Sequence, residues 1–213
     1  MGLIDNSDLQ FFVKAVSINA KKLINKSIDT YNSLLQIDPE STKEIHNELG
    51  DDLEKKGNYD GAIKAYKKIL LAEPDNANVL FKLGKIYTRL GQSSEALATL
   101  RKVTLLDENI PEAYYLLGSV YFSADANAEA LQALNRAITL NPAYADAYYK
   151  IGLIADARND HDAAIMAYLK TIDFKPDFIK AYQSLGFAYE AKGMRDEAVK
   201  YFKKSLEMEH KNN

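Results

Sequence analysis

The chain has 213 residues, and 47% of them are hydrophobic, so it is long enough to bury the core of one or two domains. Its 27 Lys and Arg residues nearly balance 30 Asp and Glu residues, and both signs are scattered along the chain, which argues against a nucleic-acid-binding protein. Cysteine is absent, which excludes disulfides, thiolate nucleophiles and cysteine-held metal centres.

The first predicted element is an apolar helix close to the N-terminus. Large apolar residues crowd it at Phe11, Phe12, Val13, Val16 and Ile18. This is more apolar surface than a solvated helix carries. We therefore expect the helix to cover another apolar face.

From residue 43 onward the sequence repeats itself. Two series of small residues recur every 34 positions without a slip. They are Gly50, Gly84, Gly118, Gly152 and Gly186, and Ala62, Ala96, Ala130, Ala164 and Ala198. A fixed period of this length indicates a solenoid of stacked supersecondary units, here five between residues 43 and 212.

Each unit is predicted to be a helix, a tight turn and a second helix. Five residues before each alanine stand residue types that tolerate a left-handed backbone: Gly57, Gly91, Asp125, Asn159 and Gly193. Just ahead of the alanines, Asp60, Ser94, Asp162 and Asp196 suit the start of the second helix. Because a glycine in mid-helix costs about 1 kcal/mol against alanine, we attribute the repeated glycine to close approach of the paired helix at the alanine.

One joint between units differs from the others. Pro74, Pro142 and Pro176 end their units in one register, but Glu108 takes that place in the second unit and Pro111 comes three residues later. We therefore predict a hinge here. The expected divisions are an N-terminal segment 1–42, units one and two over 43–108, which join that segment in one sub-domain, and units three to five over 109–213.

The period and the glycine, alanine and proline positions resemble the tetratricopeptide repeat. The resemblance implies an all-α solenoid, a right-handed superhelix of antiparallel helix pairs, with the N-terminal segment as a degenerate further repeat. It also implies that the first helices line a protein-binding groove. The groove residues predicted here are Phe81, Lys85, Arg89, Tyr115, Phe122, Tyr149 and Phe187.

Three of these residues, Phe81, Tyr115 and Tyr149, are in identical register and form an aromatic ladder. Exposed aromatic side chains are enriched at binding hot spots. The alternative is that the ladder packs against the neighbouring repeat.

The sequence lacks catalytic and metal-binding patterns. The three histidines, His46, His161 and His210, do not fall at metal-binding spacing. Neither a phosphate-binding glycine loop nor a nucleophile elbow is present. We therefore predict a protein that is not an enzyme and holds no metal or cofactor.

The last two units carry a closer resemblance, in AYADAYYKIGLI at 143–154 and in the stretch from Phe178 to Glu207. They resemble a magnetosome-associated group within the tetratricopeptide family. This resemblance implies a scaffold that self-assembles and recruits other proteins on the cytoplasmic face of the magnetosome, a membrane vesicle around an iron mineral. Membrane attachment would then be indirect, through protein partners. The alternative is a cytoplasmic adaptor or co-chaperone that binds partner peptides in its groove.

Self-association is predicted from the two ends of the array. Terminal repeats leave apolar faces uncovered unless a polar cap closes them. The N-terminal helix with Phe11 and Phe12 carries excess apolar surface, and no helix follows Leu206. We expect contacts between molecules through residues 1–41, although the N-terminal helix could instead fold back as an ordinary cap.

Overall fold

The structure, a computed structural model, describes residues 39–212, which form ten α-helices and no strand. The helices are α1 (Pro39–Lys55), α2 (Tyr59–Ala72), α3 (Ala77–Arg89), α4 (Ser93–Leu106), α5 (Pro111–Ser123), α6 (Asn127–Leu140), α7 (Ala145–Ala157), α8 (His161–Phe174), α9 (Ile179–Ala191) and α10 (Arg195–Asn212). A boundary between residues 69 and 70 divides the described residues into two compact units. The five predicted helix pairs are confirmed.

In the first unit, the contact between α1 and α2 centres on Gly50 and Tyr66. Tyr66 is fully buried, and a methyl group at Gly50 would overlap its ring. The Tyr66 hydroxyl donates to Asp51 Oδ1 at 2.6 Å, so this tyrosine is held at both ends. Burial, followed by this hydrogen bond and the acidic neighbours, raises the pKa of Tyr66 well above its usual range.

In the second unit, each helix from α3 to α10 packs on the next one along the chain. The repeated alanines Ala96, Ala130 and Ala164 are fully buried between the helices of their pairs. Small clusters of buried residues continue from pair to pair. The apolar stripe of each helix is therefore covered by its sequence neighbours, as expected for a solenoid.

The predicted turns are confirmed in all five pairs. The glycines Gly57, Gly91 and Gly193 have φ values of 73°, 68° and 75°, and Asp125 and Asn159 have values of 56° and 58°. These positions end the first helix of each pair with a left-handed residue. The turn residue types alone were sufficient to locate them.

Two details of the predicted pairing need correction. The repeated glycines face the large residue one turn beyond the alanine, and a methyl group on Gly84 would lie 2.5 Å from Leu100 Cδ2. At the start of α8 the cap lies two residues earlier than predicted, because Asp160 Oδ1 accepts a hydrogen bond from the Ala163 N–H at 3.1 Å, and α4 and α6 begin without a side-chain cap. Asp162 stands in the first turn of α8, where its charge still suits the helix dipole.

Candidate protein-binding groove

Phe81 is the first residue of the aromatic ladder and lies on α3. Its side chain is partly buried and packs against the core cluster of Leu80, Val103 and Ala113. Val103 and Ala113 belong to α4 and α5, so this aromatic ring helps to join neighbouring repeats. The contacts of Phe81 are those of a packing residue.

Tyr115, on α5, also contacts the next repeat. Its ring centroid lies 5.1 Å from that of Tyr144, which precedes α7, in a tilted arrangement. Burial raises the pKa of Tyr115, and this is the largest of the effects on its hydroxyl. Like Phe81, Tyr115 keeps only part of its surface accessible to a partner.

Tyr149, on α7, has two aromatic neighbours. Its ring centroid lies 4.8 Å from that of Phe178 and 5.6 Å from that of Tyr168, and its hydroxyl is 3.4 Å from Ser184 Oγ. The three ladder residues therefore take part in packing between repeats, which is the alternative raised by the sequence. Their role in binding remains a prediction.

The other predicted groove residues differ in exposure. Lys85 and Arg89 on α3 are exposed, whereas Phe122 on α5 is partly buried. Phe187 on α9 is 63% exposed and meets Phe202 edge-on, with the ring centroids 5.0 Å apart. Of the seven predicted groove residues, Phe187 thus offers the most apolar surface to a partner.

Lys150, on α7, was missed by the sequence prediction. Its ammonium lies 5.4 Å from the centroid of the Phe122 ring and 5.9 Å from that of Tyr115. Burial lowers the pKa of Lys150, and Asp146 opposes this shift. A lysine also stands two 34-residue periods earlier, at Lys82, and this repetition could have pointed to the position. The residue at the same place in the unit between them is Leu116, which breaks the pattern.

A groove of about 330 Å³ surrounds Lys150, between the α3–α4 turn, α5 and α7. Its polar lining consists of Lys150 together with Thr88, Ser93, Tyr115, Ser119 and Ser123. One cation and several hydroxyl groups are thus brought together by three successive repeats, in a surface depression that a peptide side chain can enter.

A second depression, of about 620 Å³, lies among α4, α5 and α6. Two arginines border it, each beside a tyrosine. Arg101 Nε donates to the Tyr121 hydroxyl at 2.9 Å, and the Arg136 guanidinium lies 5.7 Å from the centroid of the Tyr114 ring. These stacked pairs hold the arginine side chains along the surface.

Among residues 39–212, no group of three or more His, Asp or Glu side chains is arranged to hold a metal ion. His161 Nδ1 lies 3.4 Å from Asp156 Oδ1, and this pair closes the α7–α8 turn. Within the same range, no helix is long and apolar enough to cross a membrane.

Family models described as tetratricopeptide repeat or TPR repeat match residues 53–120, 120–155, 145–178 and 179–212. The chain belongs to the tetratricopeptide repeat family. The predicted family and the all-α solenoid fold are thereby confirmed. The tetratricopeptide fold and its relatives support a protein-interaction scaffold. No curated relative matches the chain.

Several solved tetratricopeptide structures are similar to this chain. A crystal structure of MamA is 55% identical, covers 80% of this chain and 93% of its own, and superposes with a TM-score of 0.72. MamA from Desulfovibrio magneticus RS-1 is 26% identical over 81% of this chain and 98% of its own, with a TM-score of 0.75. YrrB, a TPR protein with an unusual peptide-binding site, is 21% identical over 76% of this chain and 84% of its own, with a TM-score of 0.64, and shows the fold alone.

The predicted self-assembly residues Phe11, Phe12, Val13, Val16 and Ile18 lie outside the described residues. At the other end, α10 is 18 residues long, whereas α4, α6 and α8 each have 14. Leu206 is 54% exposed and Val199 is 48% exposed. Leu206 is thus exposed, as the sequence predicts, although Leu105 within the array is exposed more, at 87%.

Proposed function

We propose that this chain is a non-enzymatic scaffold that self-assembles and recruits partner proteins on the cytoplasmic face of the magnetosome membrane. The observation that carries the proposal is its 55% identity to MamA, over 93% of that chain. The match covers 80% of this chain. Membrane association would be indirect, through protein partners.

The structure supports recruitment through the face of the first helices. Phe187 supplies an exposed aromatic surface, and Lys85 and Arg89 supply exposed basic groups. Aromatic and arginine side chains are enriched among residues that dominate binding energy. We assign partner recognition to these exposed groups, with the ladder of Phe81, Tyr115 and Tyr149 setting the spacing between repeats.

The alternative, an adaptor that binds chaperone C-termini, is less well supported. Chaperone-adaptor members of the tetratricopeptide family hold a C-terminal carboxylate with a Lys and two Asn side chains of the early repeats. The matching positions here hold Asn47 and Asp51. Asp51 accepts a hydrogen bond from the Tyr66 hydroxyl at 2.6 Å, and its side chain is a carboxylate, so it would repel the carboxylate of a peptide.

Self-assembly would join apolar surfaces at the two ends of the array. Leu206 and Val199 on α10 are exposed, and the predicted N-terminal helix carries Phe11 and Phe12. A contact between unlike ends of two molecules propagates unless its rotation closes a ring. We therefore propose large assemblies rather than a closed dimer.

Recruitment is tested by comparing the proteins recovered from a magnetotactic cell lysate with the unmodified chain and with Phe187→Ala/Lys85→Ala. Met166→Ala is the matched control, because Met166 is 65% exposed and lies on α8, a second helix. We expect the double variant to lose partners that the control retains. Recovery of identical partners by a folded double variant would refute the assignment to this face.

Location is tested with a fluorescent fusion in a magnetotactic cell. The proposal predicts a line of fluorescence along the magnetosome chain. Fluorescence spread evenly through the cell, with the fusion intact, would favour the general cytoplasmic adaptor.

A further inference from the structure

The lysine in the groove, Lys150, lacks an ionic partner among the residues that the structure describes. The nearest acidic influence is Asp146, one turn earlier on α7. That carboxylate is 3.7 Å from Lys175 Nζ and so is engaged by another cation. Lys150 instead lies against the faces of Tyr115 and Phe122.

Placing an ammonium group here has a cost in the free protein. Burial lowers the pKa of Lys150, so the charged form is destabilised relative to a lysine in water. Attraction to the aromatic faces recovers only part of the lost hydration. A bound anion would supply the missing charge, and it would do so within a groove rather than in open solvent.

Three of the surrounding hydroxyl groups already donate hydrogen bonds to backbone carbonyls of their own helices. Thr88 Oγ1 donates to the Gly84 carbonyl at 2.8 Å, Ser119 Oγ to the Tyr115 carbonyl at 2.9 Å, and Ser123 Oγ to the Ser119 carbonyl at 3.0 Å. Each oxygen keeps lone pairs with which it can accept a hydrogen bond from a ligand. The groove combines one cationic donor with several neutral acceptors.

We propose that this groove binds the side-chain carboxylate of an Asp or Glu within a peptide segment of a partner protein, with Lys150 as the residue that pairs with it. The backbone N–H groups on both sides of that residue would donate to the hydroxyl oxygens of Thr88, Ser119 and Ser123. The inference rests on the proposed function, since it specifies which partner segments the scaffold accepts.

Other anions fit the groove less well. A phosphate carries up to two negative charges and several oxygens, and it is usually held by arginine or by multiple donors. The lining here offers a single cation, which balances the one negative charge of a carboxylate but not the second charge of a phosphate. A chain terminus brings a carboxylate but only one adjacent N–H group, which leaves most of the hydroxyl acceptors unused.

The test measures retention of short peptide pools on the immobilised full chain. One pool is N-acetylated, C-amidated and randomised around a fixed central Glu, and the second has Gln in its place. A third pool has central Ala and a free terminal carboxylate. Lys150→Met removes the charge and keeps the length, and Lys180→Met is the control because Lys180 is exposed on α9.

We expect the unmodified chain to retain the Glu pool about tenfold more strongly than the Gln pool, since charged hydrogen bonds are worth about that ratio. Lys150→Met should abolish the preference, and Lys180→Met should keep it. Equal retention of the Glu and Gln pools by the unmodified chain, or a preference that survives in Lys150→Met, would overturn the inference. Stronger retention of the free-carboxylate pool would overturn it in favour of a chain terminus.

Two further measurements distinguish a binding role of Lys150 from a structural one. The midpoint of urea unfolding of Lys150→Met is expected to equal or exceed that of the unmodified chain, because a poorly hydrated charge is removed; a lower midpoint would indicate a structural role. Lys150→Gln repeats the measurement with a polar side chain. Equal retention of all pools above blank resin would leave the scaffold function standing without this specificity, whereas retention of no pool would reject both.

Discussion

The contact between Gly152 and Tyr168 allows a quantitative test of how the repeats pack. A methyl group at Gly152 would lie 2.6 Å from Tyr168 Cδ1 and 2.9 Å from Cζ, about 1 Å closer than carbon atoms normally approach. Tyr168 has no room to retreat. It is fully buried, its ring centroid lies 5.6 Å from that of Tyr149, and its hydroxyl donates to Asp156 Oδ2 at 2.6 Å.

Gly152→Ala should therefore destabilise the array even though alanine is the better helix former. Overpacking costs about 1–3 kcal/mol, and displacement of the ring would also weaken its hydrogen bond to a carboxylate, worth about 1.5–3 kcal/mol. The gain in helix propensity offsets about 1 kcal/mol. We expect a net loss of about 1–5 kcal/mol in the free energy of unfolding, the upper value applying if the hydrogen bond is lost entirely, or about 3–15 °C in melting temperature.

Urea unfolding followed by far-ultraviolet circular dichroism measures this loss, and Tyr168→Ala supplies the control background. With the ring removed, the methyl group of Gly152→Ala meets open space and should stabilise the chain by about 1 kcal/mol. The same substitution thus changes sign between the two backgrounds. An unchanged unfolding midpoint in Gly152→Ala alone, or an equal loss with and without Tyr168, would show that this close contact does not set the packing.

Three further predictions follow from other parts of the chain. Tyr168→Phe should lower the free energy of unfolding by about 1.5–3 kcal/mol, because it leaves Asp156 without its 2.6 Å donor, and a change below measurement error in urea unfolding would contradict this. Burial lowers the pKa of His46, so the contribution of this histidine to stability should be complete above pH ~6.5 and should decline as the pH falls through the lowered pKa. His46→Leu introduces the residue found at the same place of the next unit, Leu80. This substitution should make the urea unfolding midpoint less dependent on pH between acidic and neutral values. Pairs of spin labels on either side of residue 108 should give broader distance distributions than pairs spanning the α6–α7 joint, and equally narrow distributions would argue against the hinge.

Sequence was sufficient for the repeat architecture because the relevant signals are local and recur. Asp125 and Asn159 take the left-handed backbone at the places that Gly57, Gly91 and Gly193 occupy elsewhere. Each unit therefore indicates the same turn independently of the others. Because the 34-residue spacing is constant, only one alignment of the units with one another is possible.

The environment of individual side chains was harder to predict, since it depends on neighbouring repeats. Tyr149 stands in the groove register, yet its hydroxyl lies 3.4 Å from Ser184 Oγ of the following unit, and Phe178, just before α9, approaches it to 4.8 Å between ring centroids. Lys150 is adjacent in sequence but does not belong to the recurring pattern, because Leu116 precedes it at the same place. Its burial comes from Tyr115 and Phe122 on another helix, which a single repeat does not reveal.

Self-assembly of the scaffold through its N-terminal segment is tested by light scattering on two chains. The full chain is compared with residues 42–213 over a range of concentrations, and circular dichroism verifies that the repeats of the shorter chain remain folded. We expect large assemblies for the full chain and monomers for residues 42–213. A full chain that stays monomeric at high concentration, or a shortened chain that still assembles, would contradict it.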